Sequence, residues 1–122
     1  MSKQVLLNVS LEIREGKLEA FQAIAREMVE VSRKEPGTLG YEWYLSGDGK
    51  RCQLIETYVD ADALLAHFAG AAVQQGVPKM ITTADVSGFQ VYGDPGPKAK
   101  EMLGGFGAEI FSYWHGVGRG NE

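Results

Sequence analysis

The chain has 122 residues and a mass of 13.3 kDa, of which 44% are hydrophobic and 23% are charged. This length and composition are typical of one globular domain and too short for two of ordinary size. Twelve basic and sixteen acidic residues give a net charge of -4, which opposes binding to nucleic acid and to anionic membrane surfaces. The sequence has no apolar run of transmembrane length.

Cysteine and histidine are scarce. Cys52 is the single cysteine, and His67 and His115 are the two histidines, so neither an intrachain disulfide nor a His/Cys zinc cluster can form. We therefore expect no metal site and no cofactor. Because the first ten residues contain no hydrophobic signal segment, we expect a cytoplasmic protein in a reducing compartment.

Hydrophobic periodicity predicts a strand, a helix and a strand in the first half. Alternate residues from Val5 to Ile13 are apolar, as in a strand with one buried face. Residues 18–31 carry apolar side chains at helical spacing, and Glu35-Pro36-Gly37 ends the predicted helix. The alternating segments 39–45 and 52–59 flank a turn and predict a hairpin.

The second half repeats this order. Asp60 is a good N-cap for a helix over residues 61–69. A second short helical piece follows, which we expect to break at Gly76-Val77-Pro78, before a strand over residues 85–92. The order β-α-β-β-α-β predicts an α+β ferredoxin-like sandwich, in which two helices cover one face of a four-stranded antiparallel sheet.

The opposite face of this sheet needs a cover. Leu6, Tyr44 and Tyr92, with either Tyr58 or Ile55, would form an apolar patch there. A patch of this kind predicts a homodimer formed by sheet-on-sheet packing.

A C-terminal extension follows the predicted sandwich. We place the ferredoxin-like domain at residues 1–93 and the extension at residues 94–122. The extension contains a predicted short helix over residues 98–103 and an aromatic segment over residues 106–114. Such aromatic density predicts packing on its own domain, on the partner subunit or over a pocket.

Two segments resemble the antibiotic biosynthesis monooxygenase (ABM) domain family. They are residues 35–42, EPGTLGYE, and residues 54–68, LIETYVDADALLAHF. The shared pattern is an E-P-G helix stop, an aromatic strand, a strand with Glu before an aromatic residue, and a helix in which His follows Ala-Leu. The resemblance extends over residues 5–93.

This resemblance implies a homodimer of ferredoxin-like subunits, a dimeric α+β barrel, with a pocket between sheet and helices in each subunit. Family members include cofactor-free oxygenases of quinols and polyketide phenols, haem-degrading enzymes and an isomerase. Membership therefore predicts the fold better than the reaction. Haem degradation is not favoured, because Asn8 lies on the polar face of its strand and no tryptophan lies near His67.

A cofactor-free oxygenase needs a base, and His67 is the best candidate because it titrates near neutrality. Glu56, on the neighbouring strand, is the residue expected to orient it. The same pair could instead be structural and join the helix to the sheet by a hydrogen bond.

Aromatic residues around this pair are the candidate substrate-binding residues. Tyr41 and Trp43 share one strand face and could stack on a planar substrate, although residues of this kind more often belong to the core. Tyr58 could donate to a phenolate or peroxide oxygen, or could lie inside the barrel. Phe68 follows His67 and completes the set.

The sequence leaves three functions open. The leading one is a quinol-type monooxygenase acting on a small aromatic substrate, a hydroquinone or a polycyclic phenol, with dioxygen. The second is a non-redox isomerase or lyase that uses the same pocket. The third is a non-catalytic, stress-associated dimer that binds a ligand. RNA recognition is disfavoured, because the third strand lacks the glycine and aromatic stacking pattern.

Overall fold

In the computed structural model, which describes residues 3–118, strands and helices follow the order of a ferredoxin-like sandwich. The elements in chain order are β1 (Val5–Ile13), α1 (Leu18–Ser32), β2 (Thr38–Leu45), β3 (Arg51–Tyr58), α2 (Ala61–Ala69), α3 (Ala71–Met80), β4 (Ala84–Tyr92), α4 (Gly96–Gly104) and β5 (Glu109–Phe111).

The strands form one sheet in the order β2-β3-β1-β4-β5. Strand β1 lies between β3 and β4 and is antiparallel to both, and β2 is antiparallel to β3. This arrangement confirms the predicted α+β ferredoxin-like class. The helices cover the sheet face that carries the apolar parity of β1, where Val5, Leu7, Val9 and Leu11 are buried.

In the described part of the chain the sheet has five strands, one more than the four antiparallel strands that the sequence predicted. After α4 the chain returns to the sheet edge, where β5 pairs parallel to β4. Gly93 N–H also donates to the carbonyl oxygen of Phe111 at 2.9 Å. A three-residue strand is too short to show a periodicity in the sequence, so only its pairing with β4 reveals it.

The predicted break at Gly76-Val77-Pro78 was wrong, because α3 continues through these residues to Met80. Gly76 is buried against Met28 of α1, and a Cβ atom at this position would lie 2.5 Å from Met28 Cγ. Glycine therefore allows the two helices to pack closely. Pro78 lies in the last turn of α3, where the missing N–H removes one backbone hydrogen bond without ending the helix.

The sheet face opposite the helices is uncovered. Leu6, Ile55, Tyr44 and Tyr92 lie on this open face, as the strand registers show. Tyr58 does not, because it pairs with Val5 and is completely buried on the helix side. Of the two residues that the sequence left as alternatives for this patch, the structure places Ile55 there.

Residues 96–111 of the extension pack on the sheet and helices of the same chain, whereas Tyr113, Trp114 and Val117 are exposed. Ala99 and Leu103 of α4 are completely buried in a cluster with Leu7, Leu64 and Val91. Further along, the rings of Phe111 and Tyr92 stack with their centroids 5.6 Å apart. The extension thus adds to the helix layer and to the sheet edge.

Candidate active site

His67 lies on α2 with its side chain directed into the protein. The helix begins at Asp60, whose side chain accepts a hydrogen bond from Ala63 N at 2.9 Å, as expected for an N-cap. His67 follows Leu64 by three residues, so both lie on the buried helix face. The His67 side chain is 1% exposed, so its polar atoms need protein partners.

Glu35 is the closest of these partners. Its Oε1 atom lies 2.7 Å from His67 Nδ1 and also accepts a hydrogen bond from Thr38 Oγ1 at 2.8 Å. Gly37 lets this segment approach α2, since a Cβ atom on Gly37 would lie 2.5 Å from Ala63 Cβ. The Glu35-Pro36-Gly37 turn therefore both ends α1 and delivers a carboxylate to the histidine.

Glu56 lies on the other side of the imidazole. Its Oε1 atom is 3.8 Å from His67 Nε2, and the same oxygen accepts a hydrogen bond from the Tyr58 hydroxyl group. Burial raises the pKa of Glu56, and the Tyr58 hydrogen bond and the nearby His67 only partly offset this effect. Glu56 therefore holds its proton to a higher pH than an exposed glutamate.

Two tyrosine rings pack against the imidazole. The ring centroids of Tyr41 and Tyr58 lie 5.0 and 5.3 Å from that of His67. Burial and the neighbouring Glu56 carboxyl group raise the pKa of both phenols well above the ordinary value of 10.0. Both hydroxyl groups therefore stay protonated and can act as hydrogen-bond donors.

An apolar cavity of about 210 Å³ opens between the sheet and α1, α2 and α3. Of the predicted site residues, His67, Glu56, Tyr41, Trp43 and Phe68 line it. Tyr58 is not among the lining residues and contacts Glu56 behind the cavity wall. The structure thus brings together five of the six predicted residues and places the sixth one contact further back.

Sequence reasoning missed Glu35. The Glu-Pro-Gly segment predicted the end of a helix, and this local role explained the glutamate without a second one. The sequence did contain one indication of this contact: a glutamate directly before a helix-ending proline, in a chain that also has a histidine on a predicted helix. Nothing in the spacing of 32 residues indicates that the two side chains meet.

A second, larger groove of about 450 Å³ lies between α1 and β2. Arg33 at its rim is paired with Glu30 at 2.8 Å, and its floor is apolar apart from the buried thiol of Cys52. This groove holds no buried acid–base pair. The cavity beside His67 is therefore the candidate active site.

Residues 3–118 contain neither a metal-binding cluster nor a helix suited to span a membrane. Within this range, no three or more His, Cys, Asp or Glu side chains are grouped to hold a metal ion. None of the helices in this range combines the length and apolar character that a membrane span requires.

Fold and cavity together define an α+β ferredoxin-like protein with a histidine and one carboxyl group lining an apolar pocket between sheet and helices, and a second carboxyl group, Glu35, in contact with that histidine. The sequence model of the antibiotic biosynthesis monooxygenase family matches residues 4–79. The chain therefore belongs to this family, as the E-P-G segment and the His67 helix predicted. No curated protein sequence matches the chain.

Solved structures agree with this assignment. MupZ from Pseudomonas fluorescens is 25% identical with a TM-score of 0.86, and the match covers 97% of this chain and 96% of MupZ. A conserved protein of unknown function from Bacteroides thetaiotaomicron is 25% identical with a TM-score of 0.68, and the match covers 75% of this chain and 97% of that protein. A candidate antibiotic biosynthesis monooxygenase from Nitrosomonas europaea is 23% identical with a TM-score of 0.68, and the match covers 80% of this chain and 95% of that protein.

Proposed function

We propose that the protein is a cofactor-independent monooxygenase that oxidises a small hydroquinone or polycyclic phenol with dioxygen. One observation carries this proposal: the buried His67 and Glu56 line an otherwise apolar cavity, and the half-buried Glu35 contacts His67 Nδ1 from outside the lining. A phenol reacts with dioxygen once it has lost a proton, so the protein must supply a base, a fixed orientation and a dry pocket.

His67 is the proposed base. Its Nδ1 atom lies 2.7 Å from Glu35 Oε1, and the proposed role places the imidazole proton on Nδ1 and leaves Nε2, on the side of Glu56, free to accept one. When Nε2 accepts a proton from the substrate, the imidazolium that forms is stabilised by the Glu35 carboxylate. The electron-rich substrate anion remains in the cavity.

The oxidation balances without an external reductant. For an anthrone-type phenol the overall reaction is RCH2R′ + O2 → RC(O)R′ + H2O. The substrate anion gives one electron to dioxygen, and the two radicals combine to form a C–O bond and a peroxide anion. This anion takes back the proton from His67 to become a hydroperoxide, so that His67 is again a base. Loss of the remaining C–H proton to the base breaks the O–O bond, and the departing hydroxide takes the proton from His67 and leaves as water.

Two protonated groups can stabilise the developing oxygen anions. Tyr41 lines the cavity, and its raised pKa keeps the hydroxyl group protonated. Glu56 also lines the cavity, and burial favours its neutral form. Donors already in place at a phenolate or peroxide oxygen lower the barrier without reorganisation. Trp43 and Phe68 supply flat apolar walls for an aromatic ring.

We also propose that the protein is a cytoplasmic homodimer whose subunits pack through their open sheet faces. Tyr44 and Tyr92 are exposed on this face, and Asn8 Oδ1 is buried there without a hydrogen-bond partner among residues 3–118. A second sheet would cover both tyrosines and offer polar partners to Asn8. The lone, buried Cys52 suits a reducing compartment.

Proton transfer without oxidation is the second candidate function. Glu56 and His67 lie 3.8 Å apart and both line the cavity. Two such groups can remove a proton from one position of a ligand and return it to another, which is the chemistry of an isomerase or a lyase.

Oxygen labelling separates these functions. The purified, metal-stripped protein would be incubated with anthrone or a naphthohydroquinone under 18O2, and the product analysed by mass spectrometry. One labelled oxygen atom per product molecule supports monooxygenation. Oxidised product without label contradicts it. Conversion that is equally fast without dioxygen supports the isomerase or lyase, and binding without turnover supports a non-catalytic ligand-binding dimer.

A further inference from the structure

The exposure of the lining residues distinguishes the floor of the cavity from its mouth. Glu56 and His67 are buried and form the floor. By contrast, Ile81, Val86 and Phe106 line the same cavity but are 54%, 52% and 59% exposed. A ligand must therefore pass these three apolar side chains to reach the histidine.

Phe106 differs from the other two mouth residues because it belongs to the C-terminal extension. Its backbone is held by a turn at the end of α4, where Phe106 N donates to the carbonyl oxygen of Leu103 at 3.0 Å. Leu103 itself is completely buried under α2. The Phe106 ring stacks on Phe89 of β4, with centroids 6.4 Å apart and planes 21° apart.

This arrangement gives the cavity a wall that the family domain does not provide. The match to the family model ends at residue 79, before β4, α4 and Phe106. The match to MupZ covers 97% of the chain, whereas the Bacteroides thetaiotaomicron and Nitrosomonas europaea structures cover 75% and 80%. The extension is thus an addition to the common fold, and its one contribution to the cavity lining is Phe106.

We infer that Phe106 is a specificity-determining residue, which limits the ligand to a flat, small aromatic molecule. Every residue that lines the mouth is apolar, while the acid–base groups lie at the floor. A suitable ligand therefore carries its hydroxyl group at one end and an uncharged ring at the other. A ligand with four fused rings collides with Phe106 once its hydroxyl group reaches His67, whereas a ligand with two rings does not.

The chemical identity of this ligand rests on the proposed function, but the size limit does not require turnover. The test therefore measures binding in the absence of dioxygen. Calorimetric titrations would compare 1-naphthol, with two rings, and 1-hydroxypyrene, with four, on the wild-type protein and on Phe106→Ala. Phe111→Ala is the matched control, because this phenylalanine of the extension stacks on Tyr92 and does not line the cavity.

We expect the wild-type protein and Phe111→Ala to bind 1-naphthol more tightly than 1-hydroxypyrene. Phe106→Ala should raise the affinity for 1-hydroxypyrene by about tenfold and change that for 1-naphthol by less than about threefold, because removing the ring lengthens the cavity. Near-ultraviolet circular dichroism would verify that each variant is folded. Phe106→Leu should give a ratio of the affinities for 1-naphthol and 1-hydroxypyrene between those of the wild-type protein and Phe106→Ala.

Three results would overturn the inference: an unchanged affinity ratio in Phe106→Ala, an equal change in Phe111→Ala, or no binding of either phenol. An altered ratio without oxygen incorporation under 18O2 would contradict the monooxygenase proposal alone. Oxygen incorporation with an unchanged ratio would contradict the size limit alone. The two proposals can therefore fail separately.

Discussion

His67 Nδ1 lies 2.7 Å from Glu35 Oε1, although the two residues are 32 positions apart in the chain. Glu35 belongs to the turn after α1, and His67 belongs to α2. In the proposed mechanism this contact holds the imidazole proton on Nδ1 and leaves Nε2 as the base on the side of Glu56. The helix stop and the proposed catalytic base are thus parts of one arrangement.

Glu35→Gln tests whether the negative charge of Glu35 supports the proposed base. The amide oxygen can still accept from Thr38 and His67, so we expect the protein to fold, but the neutral amide no longer stabilises an imidazolium ion. Turnover should fall on the order of 10²-fold with a smaller change in KM. Steady-state kinetics with Glu30→Gln as the control checks this, because Glu30 is exposed and pairs with Arg33. Wild-type turnover in Glu35→Gln would contradict the stabilisation of the imidazolium ion by Glu35.

Glu56→Gln should change how stability depends on pH. Burial raises the folded-state pKa of Glu56 above its ordinary value of 4.5. The stabilisation from its protonated form is therefore fully present below pH 4.5 and is lost as the pH rises through the folded-state pKa. Glutamine does not ionise, so the variant should lose stability less steeply with increasing pH.

Urea denaturation at a series of pH values measures this difference. Glu19→Gln is the control, because Glu19 is an exposed residue of α1, away from the open sheet face, and its replacement should leave the pH dependence unchanged. A Glu56→Gln curve parallel to that of the wild-type protein would show that Glu56 ionises in the folded state without penalty.

The sequence predicts most of the scaffold, because its signals are local. The alternation of β1 and the helical spacing of α1 arise from the face that each element buries. Asp60 marks the start of α2 through its own hydrogen bond to Ala63. The residues that meet around the cavity, His67 and Glu56 among them, lie on these locally encoded elements.

The features that sequence reasoning missed depend on contacts between distant segments. Strand β5 exists because it pairs with β4, and α3 runs through Gly76 because Met28 packs against that glycine. Glu35 has a sufficient local explanation as part of the helix stop, so its hydrogen bond to His67 appears only when α2 is placed beside it.

Leu103→Ala tests how firmly the extension is attached. Leu103 is completely buried against the core, so its truncation should lower the free energy of unfolding by about 2–5 kcal/mol. Met102→Ala is the matched control, because Met102 is the preceding residue of α4 and is exposed. Chemical denaturation of both variants makes the comparison. Equal, small effects would mean that the extension does not pack on the domain in solution.

Tyr92→Asp tests the proposed dimer. Light scattering on the wild-type protein should give about twice the subunit mass of 13.3 kDa, and a charge on the open sheet face should shift the equilibrium toward the monomer. Met102→Asp places the same charge on α4, away from this face, and should leave the dimer intact. A wild-type protein that is monomeric at micromolar concentration would contradict the sheet-on-sheet arrangement.

Dioxygen consumption is the most direct measurement of the central claim. An oxygen electrode would record uptake by the metal-stripped protein with a naphthohydroquinone, beside the protein-free autoxidation rate and the variant His67→Ala. The proposed mechanism predicts uptake above the autoxidation rate and its loss, by about 10²–10⁴-fold, in a folded His67→Ala protein. Equal uptake by the wild-type protein and His67→Ala would contradict the role of His67 as the base.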